Sequence, residues 1–368
     1  MKKTKLLFSL ALTATMTATA QEASPYISRV FEYRPAPGQF VNTLPKYDEG
    51  DTPATMAAKA EARLANNNQM MISLGAYGGY VTFGFDHMVE NVPGKMDFQV
   101  LGNAFYSATN PNPDAPREGG SCEPGIVLVS YDANGNGEPD DEWYELAGSE
   151  YGSPETTHNY SITYYRPDEN KVPTPENANI TDTTYIRWTD NLGRQGYVFR
   201  NSFHRQSYYP QWLDEDEMTF EGTLLADNYI DESGNGTYFV QYAYAWGYAD
   251  NHHNNDDRSK FNIDWAVDKD GNRVCLPGIH FVRVYTGVNQ YCGWLGETST
   301  EVQGANDLHL LGGDVDDTWG TTAVHAPSTL KHGVDGYYTL DGISVAAPTR
   351  SGIYLHRKAG KVRKVLVR

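Results

Sequence analysis

The stretch YDANGNGEPDDEWYEL, residues 131 to 146, carries six acidic side chains and two asparagines between aromatic flanks. Asp132, Asn134 and Asn136 fall at positions 1, 3 and 5 of an Asp-x-[Asp/Asn]-x-[Asp/Asn]-Gly calcium loop, and Gly137 falls at position 6. Such a loop curls round an ion, points alternate side chains inward and needs glycine at its sharp turn. Glu138, at position 7, would offer its backbone carbonyl, and Asp140 stands at position 9. Position 12 is Trp143 where a bidentate Glu is expected, so Asp140, Asp141 or Glu142 must supply that carboxylate. The competing reading is an Asn-Gly hairpin turn between strands Ile126–Tyr131 and Trp143–Leu146. Four acids between Glu138 and Glu142 repel one another unless a cation lies among them, which favours calcium.

A second candidate is aromatic. In NSFHRQSYYPQW, residues 201–212, Phe203, Tyr208, Tyr209 and Trp212 alternate with His204, Arg205 and Gln211. Rings beside amide and guanidinium donors make a stacking platform for a sugar or another planar ligand. A connection that packs its rings into the core would look the same. ADNHHNNDD, residues 249–257, offers His252, His253, Asp256 and Asp257 to a transition metal, but adjacent histidines diverge and a solvated loop is favoured. Asp231-Glu-Ser-Gly-Asn-Gly236 is another acidic turn that could hold a weaker cation site. Phosphate-binding glycine loops, Gly-x-Ser-x-Gly and His-Glu-x-x-His are missing from the sequence. Acids are so numerous, 47 in all, that a glycosidase pair cannot be singled out, and catalysis gains no positive support.

The elements that must position these residues are mostly strands. Period-two alternation runs through Tyr238–Trp246, Tyr160–Tyr164 and Ile186–Trp188, with further strand-like runs at Tyr80–Phe85, Phe98–Leu101, Tyr197–Arg200 and Phe281–Tyr285. Many short strands between Gly, Pro, Asn and Asp turns predict a mainly β chain built as a sandwich. No repeat of 20 to 50 residues is visible, which speaks against solenoids and propellers. One helix is expected over 54–64, capped by Asp51-Thr52-Pro53 and packed across an end of the sandwich. Cys122, Cys275 and Cys292 allow at most one bridge, one that includes Cys122, or three free thiols.

Residues 1–20 read as an export signal, with Lys2, Lys3 and Lys5 before an apolar run and Ala18-Thr19-Ala20 at the cleavage site. No other run approaches the roughly 18 apolar residues of a membrane-spanning helix. The formal charge of -18 becomes -21 once the three signal lysines are set aside. Residues 333–368, with seven basic and two acidic side chains, contribute +5, which leaves -26 on residues 21–332. Such a body repels phosphate backbones and makes nucleic acid a poor partner.

Tyr-x-Leu-Asp-Gly, then Gly-Ile-Tyr, then Lys-Val-Leu-Val-Arg within residues 336–368 resemble the sorting tails of Bacteroidota type IX secretion cargo. The body resembles the secreted Bacteroidota "cell surface protein" family. The likeness rests on LGAYGGYVTFGFDHMVENVPGKMDFQVLGNAF (74–105), EPGIVLVSYDANGNGEPDDEWYELAGSEY (123–151) and GVNQYCGWLGETSTEVQGANDLHL (287–310). That resemblance implies a jelly-roll-like sandwich with bound calcium and an association with outer-membrane cobalamin uptake. It also implies that Asp86, Asp97, Asn103 and Glu123 lie near one end of the sandwich, with Glu297, Glu301 and Asp307 as further polar candidates. Gly102-Asn103 departs from the Glu-Asn of broader relatives, which puts one ligand in question.

The expected organisation is a signal over 1–20, a ligand-binding β-sandwich over 21–311, a linker over 312–332 and a small β tail over 333–368. The expected function is a non-catalytic, exported, cell-surface binding protein, stabilised by calcium and specific for a glycan. Its metal ligands would be Asp132, Asn134, Asn136, Glu138, Asp140, Asp141 and Glu142. Its ligand platform would be Phe203, Arg205, Tyr208, Tyr209, Gln211 and Trp212. An accessory corrinoid binder working with an outer-membrane transporter comes second, and a secreted glycoside hydrolase third.

Overall fold

The structure is a computed structural model that describes residues 22–66, 68–107, 118–319, 336–338, 344–345, 352–358 and 361–367. The expected signal, residues 1–20, and residues 320–332 of the expected linker lie outside the described residues. The chain divides into two compact units, Met1–Asp317 and Thr318–Arg368, so the boundary falls inside the expected linker.

Among the described residues the first unit is mainly β with one α-helix, as the alternation predicts. Its largest sheet, A, has six antiparallel strands in the order Arg29–Arg34, Tyr80–Glu90, Gly278–Thr286, Gly125–Ser130, Trp143–Leu146, Ala266–Val267. Sheet B follows the order Gln195–Asn201, Ile180–Asp190, Thr157–Tyr165, Glu217–Leu224. Sheet C is Tyr229–Asp231, Phe239–Tyr242, Gly119–Ser121, Phe105–Tyr106, and sheet D is Lys260–Phe261, Phe98–Leu101, Gly304–Asp307. Ile72–Ser73 pairs with Glu301–Val302 as sheet E. Distribution over several small antiparallel sheets is nearer to a propeller-like arrangement than to the two equal Greek-key sheets of a jelly roll. The lack of a sequence repeat did not exclude this, because the sheets differ in size from two to six strands.

Sheet A shows why the alternating residues matter. Register places Val81 beside Val284, Phe83 beside Val282, and those two beside Val127 and Val129, so all six share one face. None is exposed, and each such side chain contributes about 1.5–3 kcal/mol when removed from water. Sheet B is tied to the opposite face by tyrosines. Tyr77 packs edge-on against Tyr160 at 4.9 Å and Tyr285 at 6.2 Å, the Tyr285 hydroxyl accepts from the Thr223 N–H at 2.8 Å, and the Tyr164 hydroxyl donates to the Tyr77 carbonyl at 3.1 Å. This close approach leaves no room for a Cβ at Gly78, which would meet the Phe220 Cβ at 2.3 Å.

The helix runs Pro53–Leu64. Thr52 and Thr55 form a reciprocal capping box, and Met56, Ala57, Ala60 and Leu64 make the buried stripe. It lies along the edge strand Arg29–Arg34, where Glu61 accepts the Val30 N–H at 2.9 Å.

Of the two cysteine readings the structure has the free thiols, with Cys122 and Cys292 buried and Cys275 exposed. Two sequence readings need correction. The alternation over Tyr238–Trp246 yields a strand only at Phe239–Tyr242; beyond it Tyr244, Trp246 and Tyr248 are buried in irregular backbone. The four-ring platform does not form: Tyr208, Tyr209 and Trp212 are 0%, 1% and 6% exposed. Trp212 stacks on Tyr33 at 5.8 Å, the Tyr208 ring sits edge-on to Tyr185 at 5.3 Å, and the Tyr209 hydroxyl donates to the Glu215 carbonyl at 2.9 Å. Only Phe203, 58% exposed, stands out.

The second unit is a four-stranded antiparallel sheet ordered Ser344–Val345, Gly336–Tyr338, Gly352–Lys358, Lys361–Val367.

Truncating a buried indole costs roughly 3–5 kcal/mol, whereas an exposed ring costs within about 0.5. Trp212→Ala is therefore expected to lower unfolding free energy sharply in a urea titration while Phe203→Ala leaves it nearly unchanged. Equal effects would place the two rings in the same environment and contradict this packing.

Candidate cation loop and ligand surface

The acidic loop joins two paired strands of sheet A, with Ser130 opposite Trp143. Its carboxylates are used mainly to close the turn. Asp132 accepts from the N–H groups of Gly135, Asn136 and Gly137 at 2.7, 3.1 and 2.9 Å. Gly135 and Gly137 have φ of 73° and 75°, which glycine adopts without strain. The amides of Asn134 and Asn136 donate to the two Asp140 oxygens at 2.9 and 3.0 Å and hold that carboxyl below its usual range. Asp141 accepts from the Ala133 N–H at 3.0 Å. Thus Asp132, Asn134, Asn136, Asp140 and Asp141 gather on the loop. Glu138 turns away to Arg29 at 3.0 Å, and Glu142 accepts from the Tyr144 hydroxyl at 2.9 Å. Asp231 closes onto the Gly236 N–H at 2.7 Å, and Asp268 onto the Asn272 N–H at 2.8 Å, so the closure recurs elsewhere in the fold.

The second site grows from Asn201, the last residue of the edge strand of sheet B. Its side-chain amide oxygen accepts from the Phe203 and His204 N–H groups at 3.0 and 2.9 Å, a local turn that throws the Phe203 ring outward. Its amide nitrogen donates to the buried Gln39 side chain at 2.6 Å, and Gln39 donates in turn to the Leu295 carbonyl at 2.8 Å. That bond anchors the turn Gly293–Leu295, which presents Trp294, 37% exposed, at 6.1 Å from Phe203. Sequence reasoning missed Trp294. Its signal was a Trp between Gly293 and Gly296 that no alternating run claims.

Next to Phe203 in the chain, Ser202 and Arg205 line an open cavity of about 360 Å³. Asp168, Glu169, Lys171, Asp182, Tyr185, Arg200 and Asn201 share its wall. Register between Ile180–Asp190 and Gln195–Asn201 slips twice here, and such bulges open a sheet edge. Gln211, the remaining platform residue, is exposed, and its N–H donates to Asn42 at 3.0 Å.

A third group lies inside. Glu123, Asp250 and Glu301 bring carboxylate oxygens within 4.8 Å of one another and could hold a cation or share protons. Asp250 accepts from the N–H groups of Asn103, Ala104 and Glu301 at 2.7, 2.8 and 2.9 Å. A Cβ at Gly102 would lie 2.3 Å from an Asp250 oxygen, which is the reason glycine stands there. Glu301 accepts from Ser299 at 2.7 Å. Burial pushes all three carboxyls up. The resemblance pointed to Asn103, Glu123 and Glu301; Asp250 was lost inside a run expected to be solvated. Asp250, Asn251 and His252 are in fact buried, with the His252 ring on the Tyr106 hydroxyl and the Ala245 carbonyl. Glu118 and Asp256 beside His252 are both paired with Arg258 at 2.6 Å, which fills the place a metal would take. Asp86 and Asp307 share the His87 ring at 2.8 and 2.7 Å, and Asp97 meets His309 at 3.0 Å.

Two buried acids outside these groups set a pH dependence. Burial raises Glu145 to about 7 and Glu297 to about 8. Both exceed the unfolded carboxyl value of about 4.3. The folded chain then binds more protons than the unfolded chain across that window, so this contribution to stability is present at low pH, declines from about pH 4.5 and levels off above about pH 8. Melting temperature is expected to fall between pH 5.5 and 8, with a shallower fall in Glu297→Gln. A melting temperature that rises over this range, or a slope untouched by the substitution, would refute the assignment.

No protein-family model matches the chain, and no curated protein matches it either.

Proposed function

We propose that this chain is an exported, non-catalytic binding protein whose ligand is a glycan laid across Phe203 and Trp294, with its polar edge in the neighbouring cavity. The observation that carries this reading is the pair itself. In a chain with 26 tyrosines, 13 phenylalanines and 7 tryptophans, most large rings are buried or half-buried. Two rings from segments far apart in sequence nevertheless stand exposed 6.1 Å from each other, fixed by one buried amide. Exposed aromatic surface beside convergent polar groups is what sugar rings use for stacking. A corrin macrocycle could cover the same rings, and a transporter at the cell surface would then be the partner. The carboxylates Glu123, Asp250 and Glu301 are not among the residues lining the cavity, so they lend nothing to a hydrolase there.

Calcium belongs to the same reading. The acidic loop would hold it through Asp132, Asn134, Asn136 and Asp140, with the two amides turned so that their oxygens face the ion, a carboxylate from Asp141, and the Glu138 carbonyl. Kinship with the secreted Bacteroidota cell-surface proteins is part of this proposal, as is the role of residues 333–368 as a sorting tail.

Ions that bind only the folded state add about 2.7 kcal/mol at a hundredfold excess over Kd. A chelator should therefore lower the melting temperature of the wild type and leave that of Asp132→Ala unmoved relative to its own calcium-loaded value. A wild-type curve indifferent to chelation would remove calcium from the account.

For the ligand, titration calorimetry against a glycan panel and cyanocobalamin should find one class that binds. Phe203→Ala with Trp294→Ala should abolish that binding and shift unfolding free energy by no more than about 1 kcal/mol, twice the surface-residue figure. Binding that survives the double substitution would sink the site, and binding of cyanocobalamin alone would replace the glycan by a corrinoid.

A further inference from the structure

The cavity beside Phe203 has an uneven charge arrangement. Lys171 is committed to Asp182 at 2.8 Å and to the Thr184 carbonyl at 2.8 Å. Arg200 lies over the Tyr185 ring at 4.8 Å, faces Glu169 at 3.5 Å and donates to the Arg205 carbonyl. Glu169 also accepts from the Tyr185 hydroxyl at 2.7 Å. Asp168 caps the Asn170 N–H through one oxygen at 2.9 Å. Arg205 differs from its neighbours: its backbone is held by Arg200, while its exposed guanidinium makes no hydrogen bond, ion pair or ring contact with the described residues.

An uncommitted guanidinium on a fixed backbone, at the wall of a cavity and two residues from an exposed ring, is an anion receptor of short reach. The rest of the body carries a large negative charge, so an extended polyanion with dense charge is repelled at distance. What remains favourable is a ligand with isolated carboxylates on an otherwise uncharged ring. A guanidinium pairs with a carboxylate through two parallel N–H···O bonds, a geometry a hydroxyl cannot reproduce. The Ser202 hydroxyl and the second Asp168 oxygen are left for hydroxyl groups.

We propose that the glycan bound at this surface is a carboxylated one, a uronic-acid oligosaccharide whose ring stacks on Phe203 while its carboxylate is paired by Arg205. This rests on the binding reading above, and the two can fail separately.

Three oligosaccharide probes, each carrying a single galacturonic, glucuronic or mannuronic acid residue on neutral hexoses, are compared with their methyl esters, which keep the ring and lose the charge. At least one acid is expected to bind tenfold or more tighter than its ester at 50 mM salt, the gap narrowing as salt rises. Arg205→Ala should close the gap by weakening the acid and not the ester, and Arg205→Lys should restore only part of it. The proposal is overturned if esters bind as tightly as acids, if Arg205→Ala leaves acid binding intact, or if none of the three acids binds. Neutral glycans that bind and are lost in Phe203→Ala with Trp294→Ala would leave the binding reading standing while this inference falls. Uronate binding that depends on Arg205 yet ignores that double substitution would overturn the stacked arrangement in both.

Discussion

The surface of this protein is set by one buried amide. Gln39 is 5% exposed, and every polar group it owns is used. Its N–H donates to Glu297 at 2.6 Å, its side chain bonds Asn201 and the Leu295 carbonyl at 2.6 and 2.8 Å, and its own carbonyl accepts from Gln206. Three chain segments meet there. Leaving any of these groups unpaired would cost about 1–3 kcal/mol in a buried setting, so the arrangement is confined to the geometry in which all are satisfied. The exposed rings inherit that confinement, because Phe203 leaves the core two residues after Asn201 and Trp294 one residue before Leu295.

Gln39 can hold this junction only because sheet B is already fixed on sheet A. The tyrosines between the sheets combine large apolar area with a hydroxyl that must find a partner, and that pairing gives the interface a definite register. Glycines record the closeness of the contact. A Cβ on Gly222 of sheet B would sit 2.6 Å from the hydroxyl of Tyr285 in sheet A. Sheet B then presents its edge strand, Gln195–Asn201, with a slipped register and a cavity, instead of a straight edge open to pairing.

Elements governed by short-range pattern were legible from residues alone. Phe98–Leu101 and Trp143–Leu146 lie where alternation put them, and the helix begins at the proline that Thr52 caps. What could not be read was which side of a ring faces water. Residues 201–212 have no periodicity, and Tyr208 and Trp212 are buried by Tyr185 and Tyr33, residues remote in sequence whose approach depends on the packing of other elements. The run Ala249–Asp257 misled for the same reason. Its composition is that of a solvated loop, yet Asp250 is drawn inside by backbone N–H donors at 103, 104 and 301, which no local pattern reveals. Conversely, the turn of the acidic loop was legible, because Asp132 and its glycines are contiguous and close the hairpin between two strands that the alternating residues mark.

The charge of the body unites these features. Acids that reach hydrogen-bond donors, as Asp140 does with the Asn134 and Asn136 amides, are held below the usual carboxyl range, because those N–H groups supply what water would. Acids enclosed without such donors in sufficient number, such as Glu297, keep their protons instead, at about 8, and so remove negative charge from the interior near neutrality. Other acids are met by pairing: Lys171, Arg194, Arg258 and Arg34 each hold a carboxylate within 2.8 Å. In such a molecule basic groups are scarce relative to acids, 29 against 47 in the whole chain, so carboxylate partners are abundant for an arginine. An arginine left untaken at a cavity wall therefore carries more weight here than it would on a neutral protein, where spare cations are ordinary. Its field is local, since within a Debye length of about 8 Å the nearest charges dominate, and beyond that distance the anionic body prevails. The combination selects by charge density: one carboxylate close to the guanidinium gains, and each further negative charge outside its reach loses.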